Sequence, residues 1–491
     1  MQCRGYLPIL ICILPLVACG VRGEGIEDSV VELKVTLQAY DPHQPWQKTQ
    51  PETGHGYGAV IGTDRILTTE ALVRNHTLVQ FTKPRSGRQV TARVEFADPQ
   101  INLALLRVVA EAEAVSLVPL EIAGSIPDDA ELEIVQVDAT SEIQRGDAHV
   151  VKVLVESLPN AEFSTLSFHL LTDLSVERVP ALALLDGKLA GLITSYQSSE
   201  RIAHMLPSHV LRRFLADTAE PPYEGFAMAG FAWSPLVDPV RRRYLNVTNS
   251  GQGIIVNSVL PGTGADAVIH PNDVILDWDG RPINEMGYYD DDDFGRLHFP
   301  YLIKGHRRPG ETVPVHLVRD GERKTVSIAL TRYRDADAYV PRNTTGERPS
   351  YIVAGGFVIR ELDAQYLHAY GSEWRARVDS RLVHIYNMQA LAPPEPGDKV
   401  VVLASVLSDP INVGYQHFFN QIIETVNGQE IRNMDDIFKI VLQDGELETV
   451  TLRSNGLTIS FDPSNIKEAN ARIAATYRIS EPRFRAPPPT E

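Results

Sequence analysis

Serine and histidine side chains that could act as a nucleophile and its general base occur at several places in the chain. His76 lies in a polar segment, and a later group consists of Ser164, Ser167, His169 and Ser175. A catalytic pair needs the base within hydrogen-bond reach of the hydroxyl, and no spacing among these residues is typical of such a pair. We interpret them as polar residues at the surface or at strand edges.

Carboxylates are concentrated in one run, Asp290–Asp293. Hard cations such as Ca²⁺ take several carboxylate oxygens, but this run lacks the alternating spacing of an EF-hand loop. We interpret it as a solvated acidic loop, with a calcium site as the alternative. The sequence contains no Gly-rich phosphate motif and no zinc-spaced set of Cys and His, so it predicts neither a metal nor a cofactor.

The cysteines lie only near the start of the chain, at Cys3, Cys12 and Cys19. An apolar run over 7–17 is too short to span a bilayer and is typical of the h-region of a secretory signal. The run ends in Leu-Val-Ala before Cys19, which resembles the bacterial lipobox. The resemblance implies that residues 1–18 are removed as a signal peptide and that lipid chains on Cys19 anchor the mature protein without spanning the bilayer.

The alternative is a plain secretory signal in which the cysteine is incidental. A secreted protein with one unpaired thiol at its first residue is unusual unless the thiol is modified, and this favours the lipoprotein interpretation. Gly20 follows in place of the aspartate associated with inner-membrane retention. We therefore expect a bacterial envelope lipoprotein that faces the periplasm from the outer membrane.

Composition limits the partners and the number of domains. A chain of 491 residues exceeds one ordinary core, so we expect two to four domains. The net charge of −17 makes nucleic acid an unfavourable partner. Beyond the first twenty residues, the sequence has no apolar stretch long enough to span a membrane.

The elements that must position any site are mainly β-strands. Short runs of β-forming residues alternate with turn signals from Ser29 to Val108 and again over 131–194, a pattern typical of an all-β barrel or sandwich. An amphipathic helix over 207–216 closes this unit. We therefore predict a tether over 19–28 followed by a β domain over 29–219.

An internal repeat follows. Ile254–Leu260 is echoed by Val401–Leu407, and Asp273–Gly280 is echoed by Gln421–Gly428. In each copy a buried strand leads to a second strand closed by Asp-Gly or Asn-Gly, a strong hairpin signal. The sequence predicts two copies of one module, over 221–334 and 350–465, with a polar linker over 335–349 between them. The C-terminal segment 466–491 is predicted to be a helix followed by a tail that is disordered from Ser480.

Three motifs of the β domain, Arg65–Val73, Gln100–Val108 and Pro180–Gly191, resemble the HtrA/Deg family of trypsin-like serine proteases. The later segments 349–358 and 366–371 are similar to the plant Deg branch. The resemblance implies a mainly β fold in which a trypsin-like double β-barrel precedes two PDZ domains, the second divergent. It also implies a homo-oligomer, in this family a trimer.

The departures from the family pattern fall on its catalytic residues. Position by position, the general base falls on Ala71, the aspartate that orients it on Asn102, and the nucleophile on Glu177. The glycines that shape the oxyanion hole fall on Arg178 and Val179. Loss of one triad member costs on the order of 10⁴ or more in rate, so the resemblance implies that peptide hydrolysis by this mechanism is absent.

The resemblance implies peptide binding instead. PDZ domains hold an extended peptide as an added strand and bind its terminal carboxylate with backbone amides. In the first copy, the resemblance places the carboxylate loop and the apolar floor of the groove at Ala229, Gly230, Phe231 and Ala232. On the other side of the groove it places a helix that carries Leu297, Tyr301, Leu302 and Ile303. The alternative is that these apolar residues are domain core. In the second copy, Gly355–Val358 occupies the analogous place, where oligomer contacts and ligand binding are equally compatible with the sequence.

These observations favour a non-catalytic protease homologue that binds peptides or protein C-termini in the envelope as a scaffold or sensor. One alternative is an active trypsin-like endopeptidase of periplasmic quality control with a relocated site. The other is a structural envelope subunit whose PDZ grooves are closed.

The lipoprotein interpretation predicts where the protein resides. Cys19→Ala removes the acceptor thiol, so the variant should move from the membrane fraction into the soluble periplasmic fraction. Fractionation of cells that express either form measures this, with Cys12→Ala as the matched control. Unchanged membrane retention of Cys19→Ala would contradict lipidation at this residue.

Overall fold

The computed structural model describes residues 25–109, 117–220, 222–247, 251–342, 346, 348–444, 449–453, 456–461 and 464–487. Cys19 and the predicted signal peptide lie outside this range. Among the described residues, no helix combines the length and the apolar character that a membrane span needs.

The first β unit is a closed six-stranded barrel with strand order β1-β2-β3-β6-β5-β4. Val31, Leu33 and Val35 alternate with polar residues along the first strand and point into the barrel, where they are fully buried. A short helix, α1 (Glu70–Val73), follows the third strand. The strands are β1 (Val30–Leu37), β2 (Glu52–Val60), β3 (Arg65–Thr68), β4 (His76–Thr82), β5 (Gln89–Asp98) and β6 (Leu103–Val108).

The second β unit is another closed six-stranded barrel, with order β10-β11-β12-β9-β8-β7. Leu166, Phe168 and Leu170 of its third strand are fully buried at period two. The predicted closing helix is present as α2 (Ser208–Ala219), which buries Val210, Leu211 and Phe214. The strands are β7 (Glu131–Val137), β8 (Ile143–Ser157), β9 (Ser164–Thr172), β10 (Ala181–Leu185), β11 (Lys188–Gln197) and β12 (Ile202–Pro207). The two barrels confirm the predicted fold class.

The first copy of the repeat follows the barrels. Its main sheet has order β14-β15-β16-β20-β21, and β17 pairs with β16. The strands are β13 (Ala227–Met228), β14 (Phe231–Pro235), β15 (Ile254–Val259), β16 (Val274–Trp278), β17 (Arg281–Pro282), β18 (Tyr288–Asp291), β19 (Gly295–His298), β20 (Thr312–Arg319), β21 (Glu322–Ala329) and β22 (Thr331–Arg332). Its helices are α3 (Pro239–Tyr244) and α4 (Pro300–Lys304).

The second copy carries more helix. Its strands are β23 (Tyr351–Ala354), β24 (Phe357–Glu361), β25 (Val401–Val406), β26 (Gln421–Val426), β27 (Gln429–Glu430), β28 (Thr449–Leu452), β29 (Thr458–Ser460) and β30 (Arg483–Phe484). Its helices are α5 (Ala364–His368), α6 (Trp374–Arg377), α7 (Ser380–Met388), α8 (Met434–Asp444) and α9 (Ile466–Thr476). The sheet order is β29-β28-β26-β25-β24-β23-β30, with β27 paired to β26.

The two copies share one strand order. The series β14, β15, β16, β20, β21 of the first copy corresponds to β24, β25, β26, β28, β29 of the second, and a two-residue strand follows the third strand in both. The sequence echoes fall on β15 and β25 and on β16 and β26. The repeat therefore reflects one architecture that occurs twice in the chain.

Two expectations about the connecting segments are wrong. The tail is not disordered from Ser480, because Arg483 and Phe484 form β30 and pair with Ile352 and Tyr351 of β23. The segment 335–349 is not merely a polar linker, since Val340 is fully buried in the core of the second copy. In both cases a few apolar residues in a polar segment pack against a surface that only the folded domain provides.

The last unit also packs against the first barrel. The connection between β1 and β2 extends away from the barrel, and its Trp46 packs against Tyr351 with ring centroids 6.1 Å apart. The Arg360 guanidinium donates to the Pro42 carbonyl at 2.7 Å. A barrel loop thus supplies part of the core of the second copy.

A buried polar cluster connects the first barrel to the first copy. The Gln100 side chain donates to the Tyr333 carbonyl at 3.3 Å and accepts the Phe226 amide at 3.2 Å, which joins both ends of the first copy to one barrel turn. The Tyr223 hydroxyl donates to the Asp98 carboxylate. Burial raises the pKa of Asp98 to about 6, and the hydrogen bond from Tyr223 only partly opposes this rise.

Asp98 predicts a pH dependence of stability. Its folded-state pKa of about 6 exceeds the ordinary value of 3.8, so the folded state binds the proton more tightly than the unfolded state. Stability should therefore fall as pH rises from 4 to 6 and then level off, by about 3 kcal/mol at most. The difference in unfolding free energy between wild type and Asp98→Asn, measured by urea denaturation across this range, should show this slope. A constant difference would contradict the assignment.

Candidate functional site

Two of the triad-equivalent residues are in direct contact. The Asn102 side-chain oxygen accepts the Ala71 backbone amide at 2.8 Å. Ala71 lies in α1, and Asn102 is almost fully buried in the turn between β5 and β6, with φ 58°. Folding thus brings together the two residues that the family resemblance assigns to the base and its orienting group. Ala71 has no proton-accepting side chain, and the side-chain amide of Asn102 is hydrogen-bonded to backbone groups.

The third position, Glu177, lies in the loop between β9 and β10 and its side chain is exposed. Its backbone amide corresponds to an oxyanion-hole donor in the trypsin-like arrangement. Here that amide donates to the Gln136 side-chain oxygen at 3.2 Å. The Gln136 amide nitrogen also donates to the Ser175 carbonyl at 2.9 Å. The Gln136 side chain therefore occupies the Glu177 amide, which in the trypsin-like arrangement would face a developing oxyanion.

The loop after Glu177 closes against the first barrel. The Arg178 guanidinium forms an ion pair with Glu32 of β1 at 3.0 Å, and the Pro180 carbonyl accepts the Tyr57 amide at 3.0 Å. A Cβ at Gly56 would lie 2.9 Å from both the Leu72 side chain and the Val179 carbonyl. The Ala71 helix and the Glu177 loop thus meet on β2, so the barrel junction brings all three positions to one region.

The scattered Ser and His residues do not form a replacement catalytic pair. His76 binds the Val73 carbonyl at 2.8 Å, and Ser164 binds the Ser157 hydroxyl at 2.9 Å. His169 binds the Glu156 carboxylate at 2.8 Å. Among the described residues, no serine hydroxyl is hydrogen-bonded to a histidine ring.

The acidic run forms the end of the β18–β19 hairpin. Asp291 accepts the Tyr289 hydroxyl at 2.9 Å and the Asp293 amide at 3.1 Å, and it contacts His306 at 3.0 Å. Asp292 pairs with Arg281. Within the described chain, the carboxylates of the run do not form a convergent group of three metal-ligating side chains. Their partners are side chains and amides of the same domain.

The predicted carboxylate loop lies immediately before β14. Gly230 has φ 84°, and its carbonyl accepts the Leu260 amide at 2.8 Å. In the described part of the chain, the amides of Ala229 and Gly230 donate to no protein acceptor. Phe231 is buried, whereas Ala232 is exposed. Two buried residues with unused amides are suited to bind a carboxylate.

Gly230 has a second constraint that the sequence does not indicate. A Cβ at this position would lie 2.2 Å from the Thr263 hydroxyl oxygen. Together with the positive φ, this contact means that a bulky residue at 230 would strain the backbone and clash. Substitution of Gly230 therefore perturbs folding as well as any binding, and it cannot test the loop cleanly.

The predicted groove helix needs a correction. Leu297 is not helical but belongs to β19, because Pro300 begins the helix three residues later and α4 ends at Lys304. Leu297, Tyr301, Leu302 and Ile303 are all buried, between 1% and 7% exposed, in one apolar cluster shared with the second barrel. In this conformation they are core residues, as the alternative interpretation held.

The two copies differ at the strand that would receive a peptide. In the second copy, β23 of the same chain pairs with β24 along its outer edge, and β30 pairs with β23. In the first copy, β14 pairs with β15 only and ends the described sheet. Trp233 of β14 is half-buried, with its ring 5.7 Å from Phe299. The first copy therefore keeps an edge strand beside its glycine loop, whereas the equivalent edge of the second copy is filled.

Sequence analysis missed Gln136, Glu32 and Trp233. The first two act through contacts with a loop about forty or more residues away along the chain, for which the sequence gives no signal. Trp233 could have been found, since it follows Ala232 of the predicted carboxylate loop and apolar floor and is one of four tryptophans.

Comparisons with known proteins match the chain to a PDZ domain and to Do-like proteases. A family model described as PDZ domain matches residues 340–485, a wider segment than the predicted 350–465. Putative protease Do-like 3, mitochondrial, from Arabidopsis thaliana is 24% identical over 461 residues, which cover 92% of this chain and 78% of that protein. Protease Do-like 2, chloroplastic, from Arabidopsis thaliana is 25% identical over 421 residues, covering 84% and 68%.

Among solved structures, the chain is similar to a variant of the HtrA-type protease AlgW with a decapeptide. The TM-score is 0.50 at 15% sequence identity, and the match covers 62% of this chain and 95% of that one. At this identity the similarity establishes the fold.

Gln136 provides a test of how the Glu177 loop is held. Gln136→Ala removes the hydrogen bonds to the Glu177 amide and the Ser175 carbonyl, which contribute about 0.5–1.5 kcal/mol each and so about 1–3 kcal/mol together. We expect the apparent free energy of unfolding to fall by that amount in urea denaturation. Gln144→Ala is the matched control, because it removes a side-chain partner of Gln136 but neither loop contact. An equal effect of both variants would contradict this role.

Proposed function

Because the chain is an HtrA/Deg-like, trypsin-like protein with a PDZ domain, we propose that it binds peptides or protein C-termini without cleaving them. The binding site is the edge of β14 in the first copy, and the protein acts as a scaffold or sensor. The observation that carries this proposal is the contrast between β14, which ends its sheet beside a glycine loop, and β24, whose edge is filled by β23.

The absence of cleavage follows from three separate features of the barrel junction. Ala71 cannot accept a proton, Asn102 is hydrogen-bonded to the Ala71 amide, and the Glu177 amide is occupied by Gln136. General-base catalysis and oxyanion stabilisation are therefore both missing. Either loss alone lowers the rate by orders of magnitude.

A peptide strand could add to β14 by main-chain hydrogen bonds, with its carboxylate near the amides of Ala229 and Gly230. The solved AlgW variant contains a decapeptide, which is consistent with this mode in a protein of the same fold. Affinity of this kind is expected on the micromolar scale, on the order of −8 kcal/mol.

The location and assembly belong to the same proposal. With lipid chains on Cys19, the protein would face the periplasm from the outer membrane of a bacterial envelope. A homo-oligomer would present several β14 edges at once. The second copy fits a structural role, because its edge is already filled.

Inactivity is tested with the purified full chain. We expect no cleavage of unfolded casein and no labelling by a fluorophosphonate probe, because no serine hydroxyl in the described part of the chain is hydrogen-bonded to a histidine ring. The triple variant Ala71→His, Asn102→Asp, Glu177→Ser should also remain inactive, since Gln136 still occupies the amide at 177. Specific labelling of a serine in the wild-type protein would overturn the non-catalytic assignment.

Peptide binding is tested through Trp233. It is half-buried on β14, whereas Trp46, Trp278 and Trp374 are buried elsewhere. C-terminal peptides selected from a displayed library on the full chain should change its tryptophan emission with a stoichiometry of one per chain. The Trp233→Phe variant should still bind the peptide, measured by calorimetry, but lose the emission change.

Amidation of the peptide C-terminus should weaken binding at least tenfold, about 1.4 kcal/mol. Equal binding of free and amidated peptides would contradict the carboxylate loop. Selection of no peptide by the folded chain would favour the structural subunit with closed grooves.

A further inference from the structure

Three side chains of the second barrel converge away from the barrel junction. Glu156 of β8, His169 of β9 and His204 of β12 place one ligand atom each within 4.8 Å of one another. Among the described residues, these three side chains are the one group of three or more metal-ligating side chains whose ligand atoms converge. From the sequence, His169 is interpreted as a polar residue at the surface or at a strand edge, and Glu156 and His204 are not singled out.

The barrel strands explain the convergence. His169 and His204 are directly opposite each other in the β9–β12 ladder, so both side chains lie on the same face of the sheet. Glu156 is opposite Thr165 on the neighbouring ladder, and Thr165 shares its face with His169 because the side chains of a strand alternate. The set is therefore fixed by rigid, hydrogen-bonded strands.

The contacts are centred on one carboxylate oxygen. Oε1 of Glu156 lies 2.8 Å from Nε2 of His169 and 3.0 Å from Nδ1 of His204, and the two imidazole centroids are 4.1 Å apart. One carboxylate oxygen therefore contacts both imidazoles at once.

His204 has one ring nitrogen that the protein leaves unused. Its Nε2 is buried and, among the described residues, has no hydrogen-bond partner. When Nδ1 carries the proton donated to Glu156, this Nε2 holds a buried lone pair. A cation bound between the imidazoles and the carboxylate would bind His204 through Nδ1. The proton of Nδ1 would then move to Nε2, so His204 can become a ligand by a change of tautomer, without releasing a proton.

We propose that Glu156, His169 and His204 form a binding site for a divalent transition-metal ion of the zinc type. Two imidazole nitrogens and one carboxylate oxygen are a common zinc ligand set that leaves a fourth position for water. The side chains are 22%, 18% and 11% exposed, so an ion can reach them from solvent. Their present separations are hydrogen-bond distances, and a metal with bonds of about 2.0–2.1 Å needs only a slight opening of the group.

The site would join three strands of one barrel through a single ion. Because the ion binds only the folded arrangement, it should stabilise the protein in proportion to its concentration. The site is independent of the peptide-binding proposal, since neither Trp233 nor the loop at Gly230 belongs to it.

The test uses the full chain with its cysteines, all near the N-terminus, blocked by iodoacetamide. Zn²⁺ titrated by calorimetry should bind one ion per chain and raise the melting temperature. Co²⁺ should give the intense visible absorption of a four-coordinate site. His169→Gln and His204→Gln should each weaken binding at least tenfold, whereas His149→Gln, on an exposed position of β8, should leave it unchanged.

No saturable ion, or equal binding by the His169→Gln and His149→Gln proteins, would overturn the proposal. If the variants fold poorly without metal, X-ray absorption of the zinc-loaded wild-type protein decides instead. Scattering from two imidazoles is the expected result, and scattering from none or one would overturn it.

Discussion

Unpaired hydrogen-bonding groups along the edge of a β-sheet are the constraint on which this structure depends. An exposed edge strand can accept any extended chain, so folded proteins close, cover or charge their edges. Both barrels are closed and have no edge. In the second copy, β23 and the C-terminal β30 continue the sheet beyond β24. In the first copy, β21 is an edge strand that begins with charged residues, and β14 is the edge that remains beside a glycine loop. The edge strand β14 thus lies beside a loop whose amides at Ala229 and Gly230 donate to no acceptor among the described residues.

The junction between the barrels is closed by internal pairing. Asn102 contacts Ala71, and the Glu177 loop reaches β2. Gln136 binds the loop amide, and Arg178 pairs with Glu32. These contacts stabilise the loop in one conformation. The Glu177 amide is therefore already satisfied by a side chain of the protein itself.

The two barrels and the two copies are held together by buried contacts. The core of the first copy is continuous with that of the second barrel, and Lys304 at the end of α4 lies 3.5 Å from the ring centroid of Phe163 beside β9. Burial at this contact lowers the pKa of Lys304 to about 7. The second copy is fixed to the first barrel by Trp46 and Arg360. The first copy is thus joined to both barrels, and the second copy is joined to the first barrel.

The sequence by itself determined the β-rich class and the repeat, because these depend on residue type, alternation and spacing along the chain. The assignment of Ala71, Asn102 and Glu177 to catalytic positions and of Gly230 to the carboxylate loop came from the resemblance to the HtrA/Deg family. Only the tertiary structure decided that Leu297 lies in a strand, that Val340 and Phe484 pack into the second copy, and that the edge of β24 is filled. It alone brought Gln136 to the Glu177 amide and Glu156 to His169 and His204. Such contacts join residues that are distant in sequence, and they form only when the strand order and register of the folded sheets are fixed.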